Sequence, residues 1–115
     1  METGKDKDMK KKLDKNEFYR QIKKYCNPFL KSSPININMR INEDSKYKII
    51  LDEFWVTSDG SRGNDFVLQI IDTTKSGYEK YVCDDIRFNL DTEKIYTDFQ
   101  MYKFINKKLE ESIEV

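Results

Sequence analysis

The residues best equipped for chemistry are two adjacent carboxylate pairs, Asp52-Glu53 and Asp84-Asp85, with Asp72 between them in the chain. Carboxylate oxygens hold hard divalent cations such as magnesium. Neighbouring residues of a strand point to opposite faces, so neither pair is a site by itself. A metal site would need Asp52, Asp72 and either Asp84 or Asp85 to converge from separate strands. Asp44-Ser45-Lys46 has the Asp-x-Lys spacing found in nucleases, but it falls in a predicted turn with no acid suitably placed ahead of it. Cys26 and Cys83 are the only cysteines, and neither has a base close in sequence to activate its thiol. They can pair only if the N-terminal helix packs against the strand that carries Cys83. Two reduced thiols in a cytoplasmic protein are the expectation.

What is missing narrows the chemistry further. The sequence has no histidine, which removes histidine acid–base catalysis, Ser-His and Cys-His nucleophile pairs and most zinc geometries. Its four glycines form neither a dinucleotide-binding nor a P-loop pattern. No cofactor is expected, and a non-enzymatic role is favoured. The apolar runs are too short for a membrane-spanning helix, and no apolar stretch follows the first lysines as in a signal peptide.

Charge distinguishes the function classes that remain. The net charge is zero, yet residues 1–48 carry 13 Lys/Arg against 7 Asp/Glu, and residues 49–98 carry 5 against 11. A basic N-terminal segment therefore precedes an acidic region. An acidic face suits a basic protein partner, because complementary charge speeds and orients association. The residues expected at such a face are Asp52, Glu53, Trp55, Asp59, Arg62, Asp84 and Asp85. An inhibitor or immunity-type accessory protein fits this description. The alternative is a single-stranded nucleic-acid binder, with Lys10, Lys11 and Lys12 on phosphates and Tyr81 and Arg87 on the sheet. Against it stands the excess of carboxylates in the same region. A carboxylate–metal enzyme ranks third.

The elements that must position these residues follow from periodicity. Residues 1–12 lack apolar periodicity and read as a flexible basic tail, with 13–115 as one α+β domain. Asp14 or Asn16 can cap a helix whose Phe18, Ile22, Tyr25 and Phe29 share one face; Pro28 ends it near Cys26. Ile35, Ile37, Met39 and Ile41 alternate with Asn36, Asn38, Arg40 and Asn42, as in a half-buried strand, and Pro34 suits an edge. Asn42 to Ser45 is a turn. A second strand spans Lys46 to Thr57, and residues 58–64 form a glycine-containing loop. The third strand runs from Phe66 to Ile71. A tight hairpin at Thr74 to Gly77 then leads into a fourth strand, with Tyr78, Val82, Ile86, Phe88 and Leu90 together and a bulge near Asp84-Asp85.

After Asp91-Thr92 the chain either enters a helix or forms a fifth strand over Lys94 to Tyr96. Thr97 to Gln100 has the form of a capping box, so a helix begins near Asp98. Its expected stripe is Phe99, Tyr102, Ile105, Leu109 and Ile113. The resulting fold is a helix, a four-stranded (or five-stranded) antiparallel meander and a C-terminal helix packed on the sheet. Both faces of the central strands read as apolar. One of them would then need the N-terminal helix, a second copy in a homodimer or a partner to cover it.

Overall fold

The computed structural model describes residues 12–25, 35–53 and 65–113. Helix α1 spans Lys15–Tyr25, β1 Asn36–Arg40, β2 Tyr47–Glu53, β3 Asp65–Asp72 and β4 Ile86–Asn89. A short helix α2, Leu90–Glu93, and a long helix α3, Asp98–Ser112, close the chain, and a 3-10 turn covers Gly77–Lys80. The sheet is an antiparallel meander in the order β1-β2-β3-β4. The expected α+β architecture is present, with four strands. Lys94 to Tyr96, the alternative fifth strand, is the exit from α2, where Lys94 takes a left-handed conformation at φ 57°.

Register follows the alternation of β1. Ile37 pairs with Leu51 and Met39 with Ile49; across the next seam, Ile49 meets Ile70 and Leu51 meets Leu68. All six are buried, while Asn36, Asn38 and Arg40 of β1 are exposed. On β4, Phe88 pairs with Phe66, their rings stacked at 5.6 Å, and Phe104 of α3 closes on Phe88 at 4.5 Å. The middle of one sheet face is thus apolar, with Glu53 and Asp72 at the ends of its strands.

Both helices lie on that face. Phe18 and Ile22 of α1 share one buried cluster with Ile37, Met39, Leu51 and Leu68, and with Met101, Tyr102, Ile105 and Leu109 of α3. Phe18 and Tyr19 each pack a ring against Tyr102, at 6.4 and 6.1 Å. The expectation that both sheet faces are apolar, one of them needing the N-terminal helix, a second copy or a partner to cover it, needs correcting on two counts. The N-terminal helix joins the C-terminal one on the same side. The other face is mixed rather than apolar: Asn36, Asn38, Arg40, Lys48, Asp52, Gln69 and Arg87 surround a strip of Ile50, Val67 and Ile71. Its charges are also mixed, with cations on three of the four strands.

Local signals set the helix ends. Asp14 Oδ1 accepts the Glu17 N–H at 3.0 Å, and its carbonyl accepts from Phe18. Thr97 Oγ1 accepts the Gln100 N–H at 3.1 Å, and the Gln100 side chain returns to the Thr97 N–H at 3.0 Å. This completes the expected capping box, an arrangement worth about 1 kcal/mol. The stripe of α3 is rotated from the expected one. Met101 is buried with Tyr102, Ile105, Leu109 and Ile113, while Phe99 is 48% exposed. At about 100° per residue, Met101 lies nearer than Phe99 to the direction shared by Tyr102, Ile105 and Leu109.

The start of the described chain is fastened to both layers. Leu13 N–H donates to Asn106 Oδ1 of α3 at 2.8 Å, and Asp14 N–H donates to the Ile41 carbonyl at 2.6 Å. Asn42 Nδ2 reaches the Lys12 carbonyl at 2.7 Å. Among the described residues no helix is long and apolar enough to cross a membrane.

Ile105 is fully buried where the two helices meet the sheet. Ile105→Ala should cost about 2–5 kcal/mol, read from the urea midpoint. Phe99→Ala, at an exposed position of the same helix, should stay within about 0.5 kcal/mol. Equal losses at the two positions would refute the packing described.

Candidate protein-interaction surface

The expected fourth strand is where local structure departs most from the sequence reading, and the departure builds a surface. At the end of β3, Asp72 Oδ1 accepts from both the Thr74 N–H (2.9 Å) and the Thr74 hydroxyl (2.6 Å). Lys46 Nζ lies 3.5 Å from the other carboxylate oxygen. The Thr74 hydroxyl bond, then the Thr74 N–H and the Lys46 charge, hold the Asp72 carboxyl below the usual carboxylate range. These contacts end the strand in a local turn rather than a tight hairpin.

Gly77 then takes φ +61°, a left-handed conformation that costs a side-chain-bearing residue. A Cβ there would meet nothing within 4 Å, so the requirement is conformational alone. The 3-10 turn that follows carries Tyr78 outward, 94% exposed. Tyr78 therefore leaves the apolar face expected for it.

The chain rejoins the sheet at Tyr81, which bridges to Ile71, and the Val82 N–H donates to the Ile70 carbonyl at 2.9 Å. Regular pairing resumes at Ile86 opposite Leu68. Between these points four residues, 82–85, oppose two, 69 and 70. The expected bulge at Asp84-Asp85 is therefore present, with two extra residues. An even insertion preserves the alternation, so Val82, Ile86 and Leu90 still pack against the core. Asp84 and Asp85 are exposed, and Asp85 Oδ1 accepts from Gln69 Nε2 at 3.1 Å.

The result is an open depression of about 810 Å³ lined by Gln69, Tyr78, Tyr81, Val82, Cys83, Asp84 and Asp85. Lys80 Nζ lies 5.2 Å from the Tyr81 ring centre. Two tyrosines beside two acids make a surface suited to cationic groups, since guanidinium and ammonium bind both carboxylates and ring faces. The sequence points to Asp84 and Asp85 as partner-binding residues and to Tyr81 only for the nucleic-acid alternative, and it puts Tyr78 on the apolar face. The signal against that placement was Ser76-Gly77, whose glycine permits a backbone turn that no strand continues through.

The other expected residues are dispersed. Asp52 lies on the open sheet face and accepts from Asn36 Nδ2. Glu53 points the opposite way and is only 9% exposed, so it does not join Asp52 at a surface. Arg87 is exposed on β4, opposite Val67, and Lys12 is exposed ahead of α1. Trp55, Asp59, Arg62, Lys10 and Lys11 lie outside the described residues, as does Cys26. Cys83 is a half-buried free thiol.

The carboxylates do not converge as a metal site requires. Asp52 is on the open face and Asp72 on the helix-covered face, where it is tied to Thr74 and Lys46. Among the described residues no three His, Cys, Asp or Glu side chains cluster closely enough to hold a metal ion. Asp44-Ser45-Lys46 serves the turn: the Asp44 N–H donates to Asn42 Oδ1, and Ser45 Oγ accepts from the Tyr47 N–H. No family model, curated protein or solved structure matches the chain.

Because the Asp72 carboxyl titrates lower in the folded than in the unfolded chain, its stabilisation is complete above the unfolded value. It is lost as pH falls through the folded one. Thr74→Val removes the hydroxyl donor. The variant should therefore lose stability at neutral pH and show a smaller further loss than the parent on acidification to roughly pH 3. Urea midpoints at the two pH values measure this, and parallel acid losses would refute the role given to Thr74.

Proposed function

We propose that the chain is a non-enzymatic binding protein that engages a basic protein surface through the tyrosine–carboxylate patch at residues 78–85. The observation that carries this reading is Tyr78, 94% exposed in the same short segment as Tyr81, Asp84 and Asp85. An exposed tyrosine costs solvation and gains no packing in the isolated chain. In a complex it supplies a large, rigid contact at little entropic cost, and tyrosine is enriched among residues that dominate binding energy. The neighbouring carboxylates would orient the approach of lysine and arginine side chains. An inhibitor or immunity-type accessory protein in the cytoplasm fits such a role, and a second copy of the chain is a further protein partner.

Single-stranded nucleic acid is the second reading, favoured by a different place. Phe99 is 48% exposed between two ammonium groups, Lys15 Nζ at 5.2 Å and Lys103 Nζ at 5.5 Å from its ring centre. A base stacked on that ring would find cations for its phosphates.

The two readings separate in one set of experiments. Cross-linking mass spectrometry in the native host should join Tyr78–Asp85 to lysine-rich segments of a specific protein. Tyr78→Ala with Asp84→Lys should weaken that complex by about a hundredfold or more, with the thermal midpoint nearly unchanged. Retention of the complex by this variant would overturn the protein-binding reading. Oligonucleotide binding that falls steeply with salt and is lost in Lys15→Glu/Lys103→Glu would put the nucleic-acid reading in its place.

A further inference from the structure

The outer edge of β1 lies across the sheet from the tyrosine–carboxylate patch. In the described sheet β1 has β2 as its one strand neighbour. The bonds of the Ile35 carbonyl with the Glu53 N–H and of the Ile41 N–H with the Tyr47 carbonyl show which residues face β2. With the pairing Ile37–Leu51 and Met39–Ile49, the odd positions exchange main-chain hydrogen bonds with β2. In an antiparallel ladder the intervening residues turn their N–H and C=O groups the other way. Asn38 and Arg40 therefore present main-chain groups at the edge, along an open groove of about 500 Å³ bordered by Asp14, Glu17 and Gln21. The Asn38 and Arg40 side chains are exposed and make no hydrogen bond or ion pair among the described residues.

Natural sheets blunt or cover such edges, because an edge of this kind templates the addition of another strand. We infer that β1 pairs antiparallel with β1 of a second copy about a two-fold axis at Asn38, making one eight-stranded sheet from two chains.

Three observations select this occupant and this register. The pairing is self-complementary, as a two-fold interface requires: Asn38 meets Asn38, with each giving and taking one main-chain bond. It sets Arg40 opposite Asn36 of the second copy, whose side chain is already bonded to Asp52, so each guanidinium gains a carboxylate one strand further in. Arg40 is the one charge on β1, and the antiparallel arrangement keeps the two copies of it apart, whereas parallel pairing would stack them. Two copies joined here would carry their residue 78–85 patches at opposite ends of the sheet, an arrangement for bivalent capture.

Light scattering and sedimentation of the full chain test the pairing. The parent should be dimeric at about 100 μM and dissociate on dilution. Asn38→Pro removes the edge N–H at a position where an edge strand tolerates proline, and should raise the dimer dissociation constant by at least about tenfold. Arg40→Asp should weaken association, and Arg40→Asp with Asp52→Arg should restore it. As a check independent of the folding of these variants, Asn38→Cys in a Cys26→Ser/Cys83→Ser background should cross-link to a dimer with a short bis-maleimide. Lys75→Cys, at an exposed turn, should not. A monomeric parent, a dimer indifferent to Asn38→Pro and Arg40→Asp, or cross-linking at 75 rather than 38 would each overturn the inference.

Discussion

The structure depends on the register of β2 between its neighbours. Side chains alternate across a strand, so a slip of one residue on either seam would exchange Ile49 and Leu51 for Lys48, Ile50 and Asp52 on the core face. The observed register aligns Ile37 and Met39, Ile49 and Leu51, and Leu68 and Ile70 as one apolar surface. A single surface of this kind is what allows both α1 and α3 to pack on the same side. Placing a charged edge of β2 in that layer would cost several kcal/mol per unpaired group, more than a domain of this size can spare.

Placing both helices on one face has a functional consequence. The opposite face and the two sheet edges are left to polar chemistry, and the described residues there include asparagines, arginines, a lysine, a glutamine and aspartates around a short apolar strip. The tyrosine–carboxylate patch arises where the β3–β4 connection leaves the sheet. Its parts have separate causes: Asp72 stops β3, Gly77 turns the chain, and the two-residue bulge returns it to register. None of these residues needs to touch a partner for the surface to exist. Positioning Tyr78 in water is a by-product of backbone geometry that a binding function can use.

Legibility from sequence varied with the range of the determining interaction. The alternation in β1 and the capping box at Thr97–Gln100 were readable because each is fixed by residues within a turn or a strand's length. The faces of Ile86 and Phe88 were also readable, even though the fourth strand is far shorter than its apolar pattern suggests. The inserted residues number two, so parity survived the bulge. Tyr78 was misplaced because tyrosine at an alternating position signals burial, while the positive φ at Gly77 that removes it from the sheet has no periodic signature. Glu53 was placed with Asp52 on charge alone, although adjacent strand residues face opposite ways. On α3, Met101 is buried and Phe99 is not, because at about 100° per residue Met101 lies nearer the direction of Tyr102, Ile105 and Leu109, which pack in the shared core.

Residue types and their spacing were enough to set the first three strands, the half-buried character of β1, the start of each long helix and the absence of histidine chemistry. These are properties of residue type and short-range periodicity, and they hold whatever the chain packs against. The tertiary structure alone decided that both helices share one face. It alone also decided that the acids are dispersed between the two faces, and that Tyr78, Tyr81, Asp84 and Asp85 form one surface. The first two outcomes rest on contacts between residues distant in the chain, and an apolar stripe or a pair of carboxylates carries no record of which neighbour it will meet; the third follows from the left-handed backbone at Gly77 and the bulge against β3.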